Sequence, residues 1–220
     1  MIDYIKLKNL IEVEPASISG IFQEINICDD HIDDCSLDKI LGIESKRHER
    51  KIDLKKITQL FGIEQYKYEG TPYNYIRYFL NLLKPGTNDT IYDLGCGYGR
   101  VVLYGALSCP SKFKGIEIIP ERVMVANQIK MHFSIGNARF KQGNVLDFSY
   151  ADGNIFFLFN PFQEETLAAV GNRLQKISMK KSLKIVTWGG SSNDFFSQQN
   201  WLKEIKMDEK YDKIQIFQSI

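Results

Sequence analysis

The chain has 220 residues, 44% of them hydrophobic and 25% charged, enough for one well-packed domain with an appendage or for one large domain. Its 28 basic and 27 acidic residues leave a formal net charge of +1, which gives no overall electrostatic footprint for nucleic-acid binding and leaves room only for a local basic patch. No run approaches the roughly 18 apolar residues of a membrane span, MIDYIKLKNLIEVEP carries no signal-peptide core, and Cys28, Cys35, Cys96 and Cys109 fit reduced thiols better than a disulfide framework, so the expectation is a soluble cytoplasmic protein without a membrane partner.

Two regimes meet near residue 70. Before it, charge is dense and periodicity poor. The acidic stretch CDDHIDDCSLD (28–38) and the basic stretch KRHERKIDLKK (46–56) are close in sequence and opposite in sign, so they pair or face water. Short helices with a lid-like or docking role are expected over residues 1–69. Cys28, His31 and Cys35 offer three soft ligands where structural zinc takes four, so no metal is assigned. His48 and His132 have no partner in sequence and receive no role.

After residue 70 the pattern is regular. Thr71-Pro72 reads as an N-cap followed by proline in the first helical turn. Ile76, Phe79, Leu80 and Leu83 fall on one helical face, and Pro85-Gly86 stops that helix. Strands are predicted at 90–94, 113–119, 138–142, 154–160 and 183–188. Helices are predicted over 100–108, from Pro120 through Val123, Ala126, Ile129 and Phe133, and through Leu167, Val170, Leu174 and Ile177. Two more strand candidates lie at 201–205 and 213–217, with no long crossover between them, so they can form an antiparallel edge. This alternation, with continuously apolar strands, predicts an α/β fold with a mostly parallel sheet covered on both faces.

The turn after the first strand, TIYDLGCGYGRVV (90–102), holds Gly95, Gly97 and Gly99 behind Asp93. A P-loop needs Gly-Lys-Ser/Thr, and here Gly99 is followed by Arg100 and Val101. A dinucleotide fingerprint needs G-x-G-x-x-G, and the spacing here is G-x-G-x-G. A tight strand–helix turn without a ligand also remains. The third reading, D-x-G-x-G-x-G with an acid (Glu117) ending the next strand, suits a nucleoside with a cationic amino-acid arm and no pyrophosphate. The glycines admit the ligand to the backbone, and the carboxylate accepts from both ribose hydroxyls.

On these residues the chain resembles the class I, Rossmann-like, S-adenosylmethionine (SAM)-dependent methyltransferases. Asp93–Gly99 match that family's first motif, Glu117 in GIEIIPER its ribose-binding acid, and KQGNVLDF (141–148) its adenine-reading third motif, with Asn144 where aspartate is usual. The resemblance covers about residues 70–220. It implies a Rossmann-like seven-stranded, mostly parallel sheet with an antiparallel C-terminal edge strand, plus a small N-terminal helical extension. It also implies SAM as methyl donor, S-adenosyl-L-homocysteine (SAH) as product, and a cofactor site of Thr71, Asp93, Gly95, Cys96, Gly97, Gly99, Glu117, Ile118, Asn144, Val145 and Asn160. Asn160-Pro161-Phe162, after the fourth strand, is similar to the D/N-P-P-Y/F element of amino-directed methyltransferases and is the candidate catalytic segment, though a plain strand terminator would look the same. A side-chain carbonyl and a rigid backbone carbonyl can hold two N–H groups of a neutral amine, and an aromatic face tolerates the passing charge. YEGTPY (68–73) is similar to a Tyr-x-x-Thr-Pro stretch that folds over the methionine end of the cofactor.

The function expected is methyl transfer to an amino or amide nitrogen of a protein or small molecule. Nucleic acid is less favoured on charge, while the aromatic approach of Tyr66, Tyr68, Tyr73 and Phe162 admits a flat or cationic group. O-methyl transfer to a small molecule and a non-catalytic nucleoside-binding module are the alternatives; a nicotinamide-dependent oxidoreductase is disfavoured by the glycine spacing.

Overall fold

A computed structural model describes residues 2–28, 30–62 and 67–220. Five strands follow the predicted pattern closely: β1 (Thr90–Leu94), β2 (Lys112–Glu117), β3 (Ala138–Gln142), β4 (Ile155–Phe159) and β5 (Lys184–Trp188). Between them run α7 (Arg100–Ser108), α8 (Pro120–His132) and α9 (Glu164–Ser178). Two further strands, β6 (Leu202–Glu204) and β7 (Ile214–Ser219), complete a seven-stranded sheet of order β3-β2-β1-β4-β5-β7-β6. β7 pairs antiparallel with both β5 and β6. It therefore runs against the other six strands, and it lies one place inside the edge with β6 outermost.

Both faces of the central strands β1, β4 and β5 are buried, which is why these read as near-continuous apolar runs rather than alternating ones. Ile91, Phe113, Ile155, Phe157 and Val186 face one core. Tyr92, Leu94, Ile116, Phe156 and Ile185 face the other, under Leu167, Val170 and Leu174 of α9. The first core continues without a break into the N-terminal helices α1 (Tyr4–Val13), α2 (Ile18–Ile27) and α3 (Asp34–Leu41). Phe22 of α2 meets Tyr104 of α7 edge-on at 5.6 Å. Beyond α4 (Ser45–Glu49) and α5 (Leu54–Phe61), helix α6 (Tyr73–Leu83) supplies Arg77, whose guanidinium donates to the carbonyls of Cys28 (2.6 Å) and Asp30 (2.8 Å) just past the C-terminus of α2. These bonds tie α6 to the segment that leaves α2.

One local expectation is corrected and one element is new. Thr71 is not the N-cap of α6: Pro72 holds that position, with no side-chain cap of its own. The Tyr73 N–H is instead accepted by Asp34 Oδ1 at 2.9 Å, from a residue 39 positions away in α3. A carboxylate there also complements the helix dipole. The second difference is a helix, α10 (Gly190–Ser197), that the glycine- and serine-rich sequence GGSSNDFFS did not announce. It is anchored by fully buried Phe196 and Ser192.

Gly105 in α7 tests the packing. A Cβ there would lie 2.1 Å from Phe113 Cε1, and the Phe113 ring is fully buried. Alanine would favour the helix by about 1 kcal/mol, whereas overpacking costs about 1–3 kcal/mol. Gly105→Ala is expected to lower the midpoint of urea unfolding; a raised midpoint would show that the Phe113 ring has room to move.

Candidate active site

The carboxyl edges of β1, β2 and β4 meet at the point where strand order reverses, the usual ligand crevice of such sheets. The glycine turn is stitched to β2 there: the Gly95 and Cys96 N–H groups both donate to the Ile116 carbonyl, at 2.8 and 3.0 Å. Gly95, Gly97 and Gly99 have φ of 89°, 54° and 85°, a region that side chains resist. Close approach adds a second requirement. A Cβ at Gly95 would lie 2.3 Å from Pro161 Cβ, one at Gly97 2.5 Å from Tyr68 Cε2, and one at Gly99 2.6 Å from the Phe140 ring.

Glu117 closes β2 and is buried. Its Oε2 accepts from the Gly97 N–H (2.8 Å) and its Oε1 from the Ile119 N–H (2.9 Å), with Arg122 Nη1 3.9 Å from Oε1. The carboxylate thus fixes the turn that it faces. Asp93, also buried, accepts no hydrogen bond from the described residues. Burial, and then the charge of Glu117, hold its carboxyl well above the ordinary value of 3.8. Burial first, and then the neighbouring Asp93 and Glu117, push up the Cys96 thiol.

A cavity of about 600 Å³ opens over this edge. Thr71, Asp93, Gly95, Cys96, Gly97, Glu117, Ile118, Asn144, Val145, Asn160, Pro161 and Phe162 all line it. Gly99 is the exception: it does not line the cavity but packs beneath the turn against Phe140 and Ala126, at the cap of α7. Tyr66 lies outside the described residues. Tyr73 is fully buried and is not among the lining residues. Asn144 Oδ1 accepts from the Leu146 N–H at 2.9 Å, so part of its accepting capacity is already used.

Asn160 departs from expectation. Its backbone is left-handed (φ 37°), and its Oδ1 accepts from the Ser192 N–H (3.0 Å) and the Ser191 hydroxyl (3.3 Å). Both lone pairs are engaged at the start of α10, so this oxygen does not point free toward an acceptor as the sequence suggested. The carbonyl before Pro161 remains. Behind the segment stands an aromatic wall, where Phe159 meets Trp188 at 5.4 Å and Trp188 meets Tyr75 at 4.0 Å.

Sequence reasoning missed the charged frame. Arg100 and Arg122 both line the cavity, and their carboxylate partners come from the N-terminal helices. Arg100 pairs with Asp38 and Asp34, and Arg122 with Glu49 at the end of α4 (Ser45–Glu49). The only signal was an arginine where other glycine turns carry different residues; nothing local indicated its partners. Cys28, His31 and Cys35 turn to separate surroundings, with the Cys28 thiol donating to Ile25 O and His31 Nδ1 beside Asn74. Among the described residues no group of three His, Cys, Asp or Glu is placed to hold a metal, and no helix is long and apolar enough to cross a membrane.

The glycine cradle, the carboxyl groups of Asp93 and Glu117 and the orphaned, buried Tyr68 hydroxyl fit a cationic nucleoside. The comparisons agree in class. The family described as "Methyltransferase domain" matches residues 85–220, well over half of the chain. The protein belongs to that family and is a SAM-dependent methyltransferase. It is similar to a protein-lysine N-methyltransferase of Saccharolobus islandicus (strain REY15A), 29% identical over 119 residues, which are 53% of this chain and 70% of that one. Its fold is similar to an RNA methyltransferase from Salinibacter ruber solved with SAH (TM-score 0.51, 20% identity, 69% of this chain and 92% of that one). It is also similar to a TehB-like SAM-dependent methyltransferase from Corynebacterium glutamicum ATCC 13032 Kitasato (TM-score 0.52, 15% identity, 81% and 100%).

Asp93 makes stability without ligand depend on pH in a definite sense. Its native carboxyl binds a proton more tightly than the unfolded one, so stability falls as pH rises from the unfolded value toward the native one. Asp93→Asn is therefore expected to match the wild type at the acid end. Its unfolding temperature should gain on the wild type as pH rises above about 4, then hold level once the native carboxyl has ionised. A difference independent of pH would mean that Asp93 is as well solvated when folded as when unfolded.

Proposed function

We propose that SAM lies along the β1–β2 edge of this cavity and that its methyl passes to the ε-amino group of a protein lysine entering beside Asn160–Phe162. The observation that carries the reading is the contact of Gly95 with Pro161, which sets the glycine turn and the β4 segment face to face across one cavity. The protein-lysine specificity of the Saccharolobus islandicus relative supports the choice of acceptor.

In this reading Gly95 and Gly97 give the cofactor access to backbone. Asp93 and Glu117 accept from its amino and hydroxyl groups, and Ile118, Asn144 and Val145 flank its base. Thr71 and Cys96 close the remaining wall. When bound, the sulfonium supplies an electrophilic methyl. The residues of the chain supply alignment and exclusion of water. The backbone carbonyl of Asn160 accepts an N–H of the neutral amine, and the Phe162 ring supports the side chain that carries it. Asn160 Oδ1 holds the start of α10 in place, which fixes this carbonyl from behind. Residues 70–220 form the methyltransferase domain in this assignment, and residues 1–69 a helical extension that closes over it. The four free thiols suit a cytoplasmic enzyme.

Lysine-containing proteins incubated with methyl-labelled SAM test the acceptor. The label is expected to survive base treatment and to be recovered as methyl-lysine; release as methanol would indicate a carboxylate acceptor and overturn the reading. In the same assay Asn160→Ala is expected to lower turnover on the order of 10²-fold through misalignment. Its SAH affinity should stay within about twofold, since the donor wall is untouched.

A further inference from the structure

We propose that Glu49 and Asp38, in the N-terminal extension, are positioning residues for the cofactor: Glu49 directly at Tyr68, and Asp38 through Arg100, hold residues 67–72 as a roof over the glycine turn. This rests on the reading that the cavity is the SAM site.

The roof is pinned at two points. At its start, the Tyr68 N–H donates to Glu49 Oε2 at 3.2 Å. The same carboxylate takes Arg122 Nε (2.9 Å) and Nη2 (3.0 Å), together with the Tyr98 hydroxyl (2.9 Å) from inside the glycine turn. At its end, Arg100 Nη1 donates to the Thr71 carbonyl at 3.1 Å. Its Nε donates to Asp38 Oδ1 at 2.9 Å, its Nη2 pairs with Asp38 Oδ2, and Asp38 also accepts from the Tyr73 hydroxyl at 2.8 Å. The guanidinium lies flat on Gly70, where a Cβ would come within 2.6 Å of it, so this roof residue has no space for a side chain. Between the pins, the Tyr68 ring covers Gly97 and meets Tyr98 edge-on at 4.8 Å. Its hydroxyl is buried without a partner, over the cavity that Tyr68 lines.

The placing of the arginines argues for a purpose beyond surface pairing. Both stand in the first turn of their helices, α7 and α8, where the helix dipole disfavours a cation. Both are largely buried, with side-chain exposures of 11% and 7%. A guanidinium in that setting needs a carboxylate, and the carboxylates are supplied by α3 and α4. The extension therefore completes the wall of the cavity.

The test uses the full chain, with SAH as probe. Glu49→Gln and Asp38→Asn keep size and remove charge. With the roof ordered only a tenth of the time, apparent affinity falls tenfold. Each variant is expected to weaken SAH about tenfold by calorimetry, and to speed hydrogen exchange at the Tyr68 and Gly70 amides without ligand. A merely structural role would lower the unfolding midpoint and leave the SAH affinity of the folded protein unchanged; that result overturns the proposal. Glu117→Ala is measured alongside. If it alone weakens SAH, the cofactor site stands and the positioning role falls. If none of the three does, the cavity is not the cofactor site. Should Asp38→Asn fail to fold, Glu49→Gln decides, because Glu49 is the more exposed carboxylate.

Discussion

Gly95 and Pro161 touch, and the site depends on that contact. β1 lies between β2 and β4, with Asp93 in register with Gly115 on one side and Phe157 on the other. The turns leaving β1 and β4 must then pass one another at the same height, and opposite the Pro161 ring there is no room for a side chain at Gly95. One van der Waals contact so fixes the distance between the wall proposed for the donor and the wall proposed for the acceptor. Methyl transfer gains little from acid–base machinery and much from that distance. A rigid contact between two short turns is a direct way to hold it.

Around this contact the charges are arranged in an unusual order. The carboxyl groups of Asp93 and Glu117 lie innermost, the guanidiniums of Arg100 and Arg122 next, and the carboxylates of Asp34, Asp38 and Glu49 outermost. The layer outside compensates the charge within, except at Asp93, which burial and then the charge of Glu117 drive toward its neutral form. Arg122 reaches both ways, close to Glu117 and hydrogen-bonded to Glu49.

Much of this was legible in the sequence. Strand β1 begins and ends where its apolar run predicted, because a strand buried on both faces carries a dense signal with little polar interruption. The glycine turn and Glu117 were legible because backbone geometry and close approach each demand a particular residue type. What escaped reading was long-range and polar. Asp34 capping α6, Asp38 meeting Arg100 and Glu49 meeting Arg122 join residues whose own neighbourhoods give no periodic signal. Asn160 was legible as a residue of interest and not as a tie: its type suits both a hydrogen bond to a ligand and a cap on α10, and only the position of Ser192 decides which oxygen contact forms.

The place of β7 has a consequence for assembly. β6 precedes β7 in the chain, yet β6 bonds only to β7, and β7 alone joins it to β5. On a ribosome, β6 would emerge first and have no strand to pair with, while the far edge of β5 stayed open until residue 219 had emerged. An open, apolar β5 edge is a template for pairing with another nascent chain. The synthesis of residues 189–219 is thus an aggregation-sensitive interval in the biogenesis of this enzyme, after the proposed cofactor cradle has been made and before the sheet beside it is closed.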